Sequence, residues 1–358
     1  MKAYSLRKLI SGLHQIVNGV VTCDAWSVIG TEPLSGENLN IVYIGNEAQK
    51  NYIVSQSFGN NYNEIYMGRK WLWEIYNIIR KKHNDCHLLF MEGSIIHRIL
   101  HKKQNDYFIP LWVNGDVNIP LPVSNKSAKE DLRKIRGNKL RFEVTNEESQ
   151  FHSFYHNMYL PYVIWRHEDR TCLRKYDHLI RDFKLGLSQL LFVKKGNEAI
   201  AGQVIGFQGN QPSLGCVGLK DGNPAHLKDG AMAAAIYFSS LYLQERGYKK
   251  MSLGGSRAFL KDGVLQYKKK WNLELVRRTT FNTTKLFIFK PGFIVKPLQL
   301  SQGLKGFFLR NPFIYVDKGH LYGAVFIEND ELHSGINSEE YHRKYHLLGL
   351  SQLSFFSL

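Results

Sequence analysis

Between Asp262 and Trp271 the chain reads DGVLQYKKKW, which sets a carboxylate (Asp262), a phenol (Tyr267) and the ammonium groups of Lys268, Lys269 and Lys270 on one short stretch. A carboxylate and a lysine so placed can exchange protons with a substrate once burial or a neighbour brings their proton affinities toward neutrality. His226, in the loop NPAHLKDGA, and Tyr237, in the helix after it, are further groups able to carry a proton. Ser256 and Arg257, in GGSR, pair a hydroxyl with a guanidinium and suit a substrate anion or a charge that develops during reaction. Each has a plainer reading. A loop histidine is commonly solvated, a helical tyrosine is commonly a core ring with a polar tip, and Asp262 is in place to cap a helix beginning at Gly263.

A second feature is the loop Asn223 to Gly230 ahead of the apolar helix Asp229 to Arg246. The first N–H groups of a helix lack intrahelical acceptors, and the dipole is positive there, so the loop is a candidate cradle for phosphate groups. Gly230 and Ala231 permit close backbone approach, and Lys228 adds charge. The competing reading is a buried helix behind an ordinary loop. Two basic clusters lie nearby in sequence. Residues 126–142 carry Lys126, Lys129, Arg133, Lys134, Arg136, Lys139 and Arg141, and residues 261–278 carry Lys261, Lys268, Lys269, Lys270, Arg277 and Arg278. Both suit one anionic ligand, although such runs are also ordinary solvated faces.

These groups must be held by the elements around them. Phe151, Phe154, Tyr155, Met158 and Tyr159 recur at helical spacing, Pro161 interrupts that helix, and 173–185 offers a second one. Strand-like runs follow at 189–194, 199–208 and 213–219, joined by GN and GNQP turns, which predicts an antiparallel meander. The helix to Arg246 stops at Gly247, and a strand at 250–253 completes a βαβ step. A helix at 263–271 and strands at 274–280 and 284–290 close this unit. Before it, strands at 39–47, 86–92 and 107–113, a helix at 69–82, a basic helix at 127–137 and a strand at 139–145 make the first part mixed α/β. Residues 312–327 read as a hairpin turning at Asp317 to Gly319.

The bulk properties bound the function. At 358 residues, 44% hydrophobic and 13% aromatic, the chain has material for two cores. Forty-seven Lys and Arg against 31 Asp and Glu give +16, which calls for an anionic partner: a phosphate-bearing cofactor, nucleic acid or a membrane surface. Cys23, Cys86, Cys172 and Cys216 are far apart, with no metal-ligand spacing, so neither a disulfide framework nor a metal site is expected. No apolar run reaches the roughly 18 residues of a membrane span, and the N-terminus lacks a secretion signal, so a cytoplasmic protein is expected.

The order α, α, β, β, β, α, β, α, β, β over 147–290, with HLKDGAMAAAIYFSSLYLQERGYKKMSLGGSRAFLKDGVLQYKKKW at its centre, resembles the GNAT fold. It is similar to the second unit of FemAB-like transferases and of the acetyltransferases grouped with cellulose-biosynthesis proteins. In both, a small-residue helix ending in ERGY leads to a strand, a G-S turn and DG...YKxKW/F. KSAKEDLRKIRGNKLRFEVT (126–145) and FYHNMYLPYVIWRHEDR (154–170) resemble the element joining the two units there.

The resemblance implies an α/β fold of tandem GNAT-like units, divided here as 1–145, 146–290 and a 291–358 extension that completes the first unit. It implies an N-acyltransferase. Acyl-coenzyme A is the expected donor, held by Leu219, Asn223, Lys228, Asp229, Gly230 and Ala231. The acceptor is an amine on a sugar, a peptide or a peptidoglycan or other cell-envelope precursor, bound by Tyr159, Arg166, His167, Ser256, Arg257 and Lys270. Asp262, Lys268, Tyr267 and His226 are the catalytic candidates, and Lys268 or Lys270 matches the family's YKxKW/F lysine. The loop NPAHLKDGA keeps only Gly230-Ala231 of the family's Q/R-x-x-G-x-G/A pattern, and FemAB-like members with such loops take aminoacyl groups from transfer RNA. An aminoacyl-tRNA-dependent peptide ligase is therefore the second expectation, and a non-catalytic relic binding a polyanion or a partner protein the third.

Overall fold

Apolar and β-branched residues build a first sheet from β1 (Thr22–Thr31) and β2 (Asn38–Ile44), an antiparallel pair in the computed structural model. The structure describes residues 22–71, 74, 85–94, 106–167, 173–208, 211–276, 291–317, 320–327 and 343–346. Asn46 caps α1 (Glu47–Phe58) by accepting from Ala48 N, and Gly59, at φ 63°, ends it. β3 (Tyr62–Trp71) pairs antiparallel with β1, β4 (Leu88–Ser94) runs parallel to β2, and β5 (Tyr107–Pro110) follows.

The chain then lays down β6 (Val113–Asn118), α2 (Lys126–Gly137), β7 (Arg141–Thr145), α3 (Glu148–Phe154), a π-helical turn (Tyr155–Tyr159), α4 (Leu160–His167) and α5 (Tyr176–Lys184). β8 (Ser188–Lys195), β9 (Glu198–Gly206) and β10 (Ser213–Leu219) form the meander. The short α6 (Ala225–Lys228), α7 (Ala231–Glu245), β11 (Lys250–Ser256), α8 (Gly263–Lys269) and β12 (Glu274–Val276) come next, and the order of helices and strands expected from 147 to 276 is present. β13 (Pro291–Pro297), α9 (Gln302–Arg310), β14 (Phe313–Asp317), β15 (His320–Ile327) and β16 (Arg343–His346) complete the described elements.

Two units result, both mixed α/β. The first holds Met1–Leu111, Ala258–Lys261 and Thr283–Leu358, with sheet order β3-β1-β2-β4-β13-β5 and a small sheet β14-β15-β16. The second holds Trp112–Arg257 and Asp262–Asn282, with order β12-β6-β11-β10-β9-β8-β7. The boundary expected at 145 therefore falls at 111. The run 107–113 is two strands, because β5 pairs with β13 whereas β6 pairs with β11 and β12. Within the first unit, Phe259 bridges Phe313, and Ile314 N donates to Ala258 O, so the GGSR...DG stretch is interrupted by four residues packed in that unit. Of the helix expected at 69–82, Arg69 to Trp71 are strand, and nearly all the rest lies outside the described residues, as do 277–290 with their expected strand.

Pro161 does not break its helix. The π turn places Leu160 N on Tyr155 O, one residue beyond the α-helical partner, and so shifts the ladder where proline lacks an N–H. This turn rests on bare backbone. A Cβ at Gly218 would lie 2.5 Å from Met158 C and Tyr159 N. Gly218→Ala must push two main chains apart and is expected to destabilise the second unit by about 2–3 kcal/mol, read as a lowered denaturation midpoint.

Candidate functional site

Among the described residues the second unit's sheet has one parallel pair, and the sheet opens where that pair should continue. β10 and β11 are paired, among the described residues, only at Ser213 and Ser252, whereas in the first unit β2 and β4 stay paired in parallel from Ile41–Leu88 to Ile44–Met91. Bulges on both strands cause the parting. β10 shifts against β9 between Leu214 and Val217, and β11 shifts against β6 between Ser252 and Gly255. Gly254 takes φ 73°, and a Cβ there would stand 3.0 Å from Leu214 O. The β10 carbonyls at the bulge are served from within. Gln203, 3% exposed, donates its amide to the carbonyls of Gly215 (3.3 Å) and Cys216 (3.2 Å). A crevice at the carboxyl ends of strands where the connection changes direction is the usual place for a ligand in an open α/β sheet.

The start of α7 borders this end of β10. Gly230 is its N-cap at φ 89°, no side chain caps it, and Ala231, Met232 and Ala233 have no acceptor for their N–H groups among the described residues. Ala231 is fully buried, so its unpaired donor is costly unless something polar docks there. The missing Cβ of Gly230 faces Lys134 Cβ at 3.2 Å, and Asn138 donates to Asp229 O, so α2 takes the close approach that the glycine allows. His226 lies on α6 with Nδ1 buried and unpartnered, 3.9 Å from Asp229 Oδ2. Asp229 is paired with Lys195 at 3.0 Å. Asn223 shapes the turn by accepting from Ala225 N, Leu219 is buried behind it, and Lys228 is exposed. The first unit treats its own helix start differently. There Asn46 caps α1 and Glu92 Oε2 accepts from Asn46 N at 2.8 Å, an internal carboxylate at the positive end of the helix.

Beyond β11, α8 carries the titratable groups. Asp262 caps it, accepting from Leu265 N at 2.9 Å, and burial raises its carboxyl pKa. Lys268 Nζ donates to Gly255 O at 2.7 Å; burial pushes its ammonium down to about 8, with Asp262 opposing the shift. Ser256, 2% exposed, has a buried Oγ without a partner. Tyr267 has a buried hydroxyl, and burial followed by the Asp131 charge raises its pKa, with the neighbouring Trp271 side chain pulling the other way. The fully buried Trp271 faces that hydroxyl with its Nε1, outside the geometry of a well-formed hydrogen bond. Lys270 forms an ion pair with Asp131 and lies 3.8 Å over the Tyr267 ring; burial lowers its pKa, with Asp131 pulling the other way.

Asp262, Tyr267, Lys268 and Ser256 thus gather at the end of β11 and on α8, while Gly230, Ala231 and His226 gather at the start of α7. Lys270 is engaged with Asp131. Tyr159 is buried in the π turn, where its Oη accepts from Arg174 N at 3.2 Å. Arg166 is exposed on α4, and the side chain of His167 lies outside the described residues. Arg257 stacks over Trp112. Three residues were not singled out by sequence: Gln203, Asp131 and Trp112. Gln203 had a signal, a lone amide in the apolar run AIAGQVIGFQ; the other two gain meaning only from their partners. Among the described residues no group of three or more His, Cys, Asp or Glu could hold a metal ion, and no helix is long and apolar enough to cross a membrane.

No family model and no curated protein matches the chain. Among solved structures it is similar to FemX, at 12% identity over 75% of this chain and 83% of that one, with a TM-score of 0.38. It is also similar to L-PGS from Bacillus licheniformis, at 12% identity, 79% and 85% coverage and a TM-score of 0.37. An aminoglycoside acetyltransferase from an uncultured soil metagenomic sample matches at 12% identity over 41% of this chain and 98% of that one, with a TM-score of 0.29.

Proposed function

We propose that the second unit is a GNAT-type N-acyltransferase centre that moves an acyl group from acyl-coenzyme A to an amine on a sugar or cell-envelope precursor. The observation that carries this reading is the open fork between β10 and β11 beside a helix start with three unmatched N–H groups. The donor fits these residues. The N–H groups of Ala231 to Ala233 and the exposed Lys228 suit a pyrophosphate, and the parted strand edges suit an extended thioester arm.

Transfer needs a neutral amine. Lys268, with a pKa near 8, is about one quarter deprotonated at pH 7.5 and can take the proton from the acceptor's ammonium. The nitrogen lone pair then attacks the thioester carbonyl, the C–S bond breaks as the carbonyl reforms, and the second proton of the nitrogen passes to the departing thiolate, leaving a neutral amide and a free thiol. Tyr267, kept protonated by burial, takes no part as a second base. Asp262 positions α8 by capping it, and Gly255 O holds Lys268 in place.

Calorimetric titration with coenzyme A and acetyl-coenzyme A tests the donor assignment, and absence of binding by either removes it. Reversing the exposed charge in Lys228→Glu should raise the dissociation constant of coenzyme A about tenfold at low salt. The difference should shrink in about 0.5 M salt, where exposed charges are screened. An unchanged constant at low salt excludes Lys228 from the donor site.

One observation favours an aminoacyl-tRNA donor as the second reading. Lys126, Lys129, Arg136 and Lys139, on or just after α2, are exposed and form no ion pair among the described residues. They offer a cationic surface on the helix that packs against the start of α7. Salt-sensitive binding of charged transfer RNA, with no coenzyme A binding, selects this donor.

A further inference from the structure

Trp112, at the head of β6, stands beside Gly255, whose missing Cβ would lie 3.5 Å from the indole Cε3. Arg257 covers one face of the ring, its guanidinium carbon 4.3 Å from the ring centre. Arg257 is 9% exposed and Trp112 is 47% exposed, so the cation is packed against a ring that keeps about half of its surface open to water. Asn114, two residues on along the same face of β6, brings its Oδ1 to 3.7 Å from the same Gly255 position. The carbonyl of Gly255 in turn holds Nζ of Lys268.

An indole held open to water leaves apolar area unburied, and the stacked guanidinium fixes its orientation. A single aromatic face rimmed by an amide and a guanidinium is too small and too polar for an acyl chain or an amphipathic helix. It matches a sugar ring, whose C–H face covers the indole while its hydroxyls reach the polar rim. A Cβ at position 255 would already touch the benzene edge of the indole, so the glycine keeps the space beside the ring open.

We infer that Trp112 is the platform on which the sugar ring of the acceptor stacks, with Asn114 and Arg257 at its rim and the acceptor's amine directed to Lys268. The direction of the amine rests on the acyl-transfer reading; the stacking of the ring does not.

The test uses the full chain labelled with ¹⁵N at its indoles and titrated with glucosamine. The Trp112 resonance, assigned by its loss in Trp112→Phe, should shift saturably with a dissociation constant of about 1–10 mM. Trp165, 43% exposed on α4, should stay in place. Followed on the backbone signals of Asn114 and Gly255, Trp112→Ala should weaken binding at least about fivefold, and Trp112→Phe, which keeps an aromatic face, about twofold. No Trp112 shift, an equal shift of Trp165, or an equal response to ethanolamine, which has an amine and no ring, overturns the platform. Coenzyme A binding without a glucosamine shift removes the platform alone. A glucosamine shift without coenzyme A binding keeps the platform and removes the donor reading.

Discussion

Lys268→Met is expected to lower turnover by about 10²- to 10⁴-fold, the range for loss of a general base, while making the second unit more stable at neutral pH. The two effects share a cause. Burial makes the ammonium of Lys268 costly and brings its pKa down to about 8, from 10.5 for a free lysine. Between these values the unfolded chain binds the proton more readily than the folded one, so wild-type stability rises with pH across that window. Below pH 8 the full cost is present. Methionine, similar in length and uncharged, avoids it, and after discounting for the partial exposure of this side chain the gain is about 1 kcal/mol. It should fade as pH climbs from 8 toward 10.5. The bond to Gly255 O is lost, but water can serve that exposed carbonyl. Lys268→Arg should not restore activity, since a guanidinium keeps its proton. The wild-type rate should rise through pH 8. Urea melts at pH 7 and pH 10, with pH–rate profiles of both variants, check these outcomes; a folded Lys268→Met protein with wild-type turnover removes Lys268 from the reaction.

The sequence was most informative where the relevant physics is local. Gly196-Asn197 marks the turn between β8 and β9, Gly247 at φ 81° marks the end of α7, and Asp262 was visible as a cap before its hydrogen bond to Leu265 was seen. Periodicity also placed the meander and the crossover helix. What stayed hidden depends on which strand faces which. Nothing in SLGCVGL or MSLGGS announces that the two strands meet at a single pair, because the parting follows from bulges that exist only against β9 and β6. The first boundary was misplaced for the same reason, as β5 and β6 are almost contiguous in sequence and belong to different sheets. Pro161 looked like a break because the compensating π turn leaves no residue-type signature. The burial that lowers the pKa of Lys268 is likewise a property of the assembled unit, so its neighbour Lys270 looked equally suitable until Asp131 was found beside it.

The largest expected loss of stability lies in the first unit, at Glu32→Ala, roughly 3–5 kcal/mol. Glu32 is fully buried, and its carboxylate accepts from Leu34 N, Ser35 N and Ser35 Oγ through one oxygen and from Arg310 Nε, at 2.9 Å, through the other. Alanine strands the turn donors between β1 and β2 and leaves the end of α9 without its anchor there. Arg310 is only 30% exposed and also donates to Ser57 O, so it cannot turn fully to water. Glu32→Gln keeps the shape but places an NH₂ where a donor must be accepted, and should recover less than half of the loss. Gly306→Ala gives an independent check from the other side. Alanine favours a helix by about 1 kcal/mol over glycine, yet a Cβ at 306 would lie 2.0 Å from Glu32 Oε2, so the sign should reverse and the variant should be destabilised. The two changes act on one contact, so in Glu32→Ala the Gly306→Ala penalty should largely vanish. Additive losses in the double variant would show that the carboxylate does not organise this contact. Coenzyme A titration below the first unit's melting transition supplies the control, since every group assigned to the donor lies in the second unit.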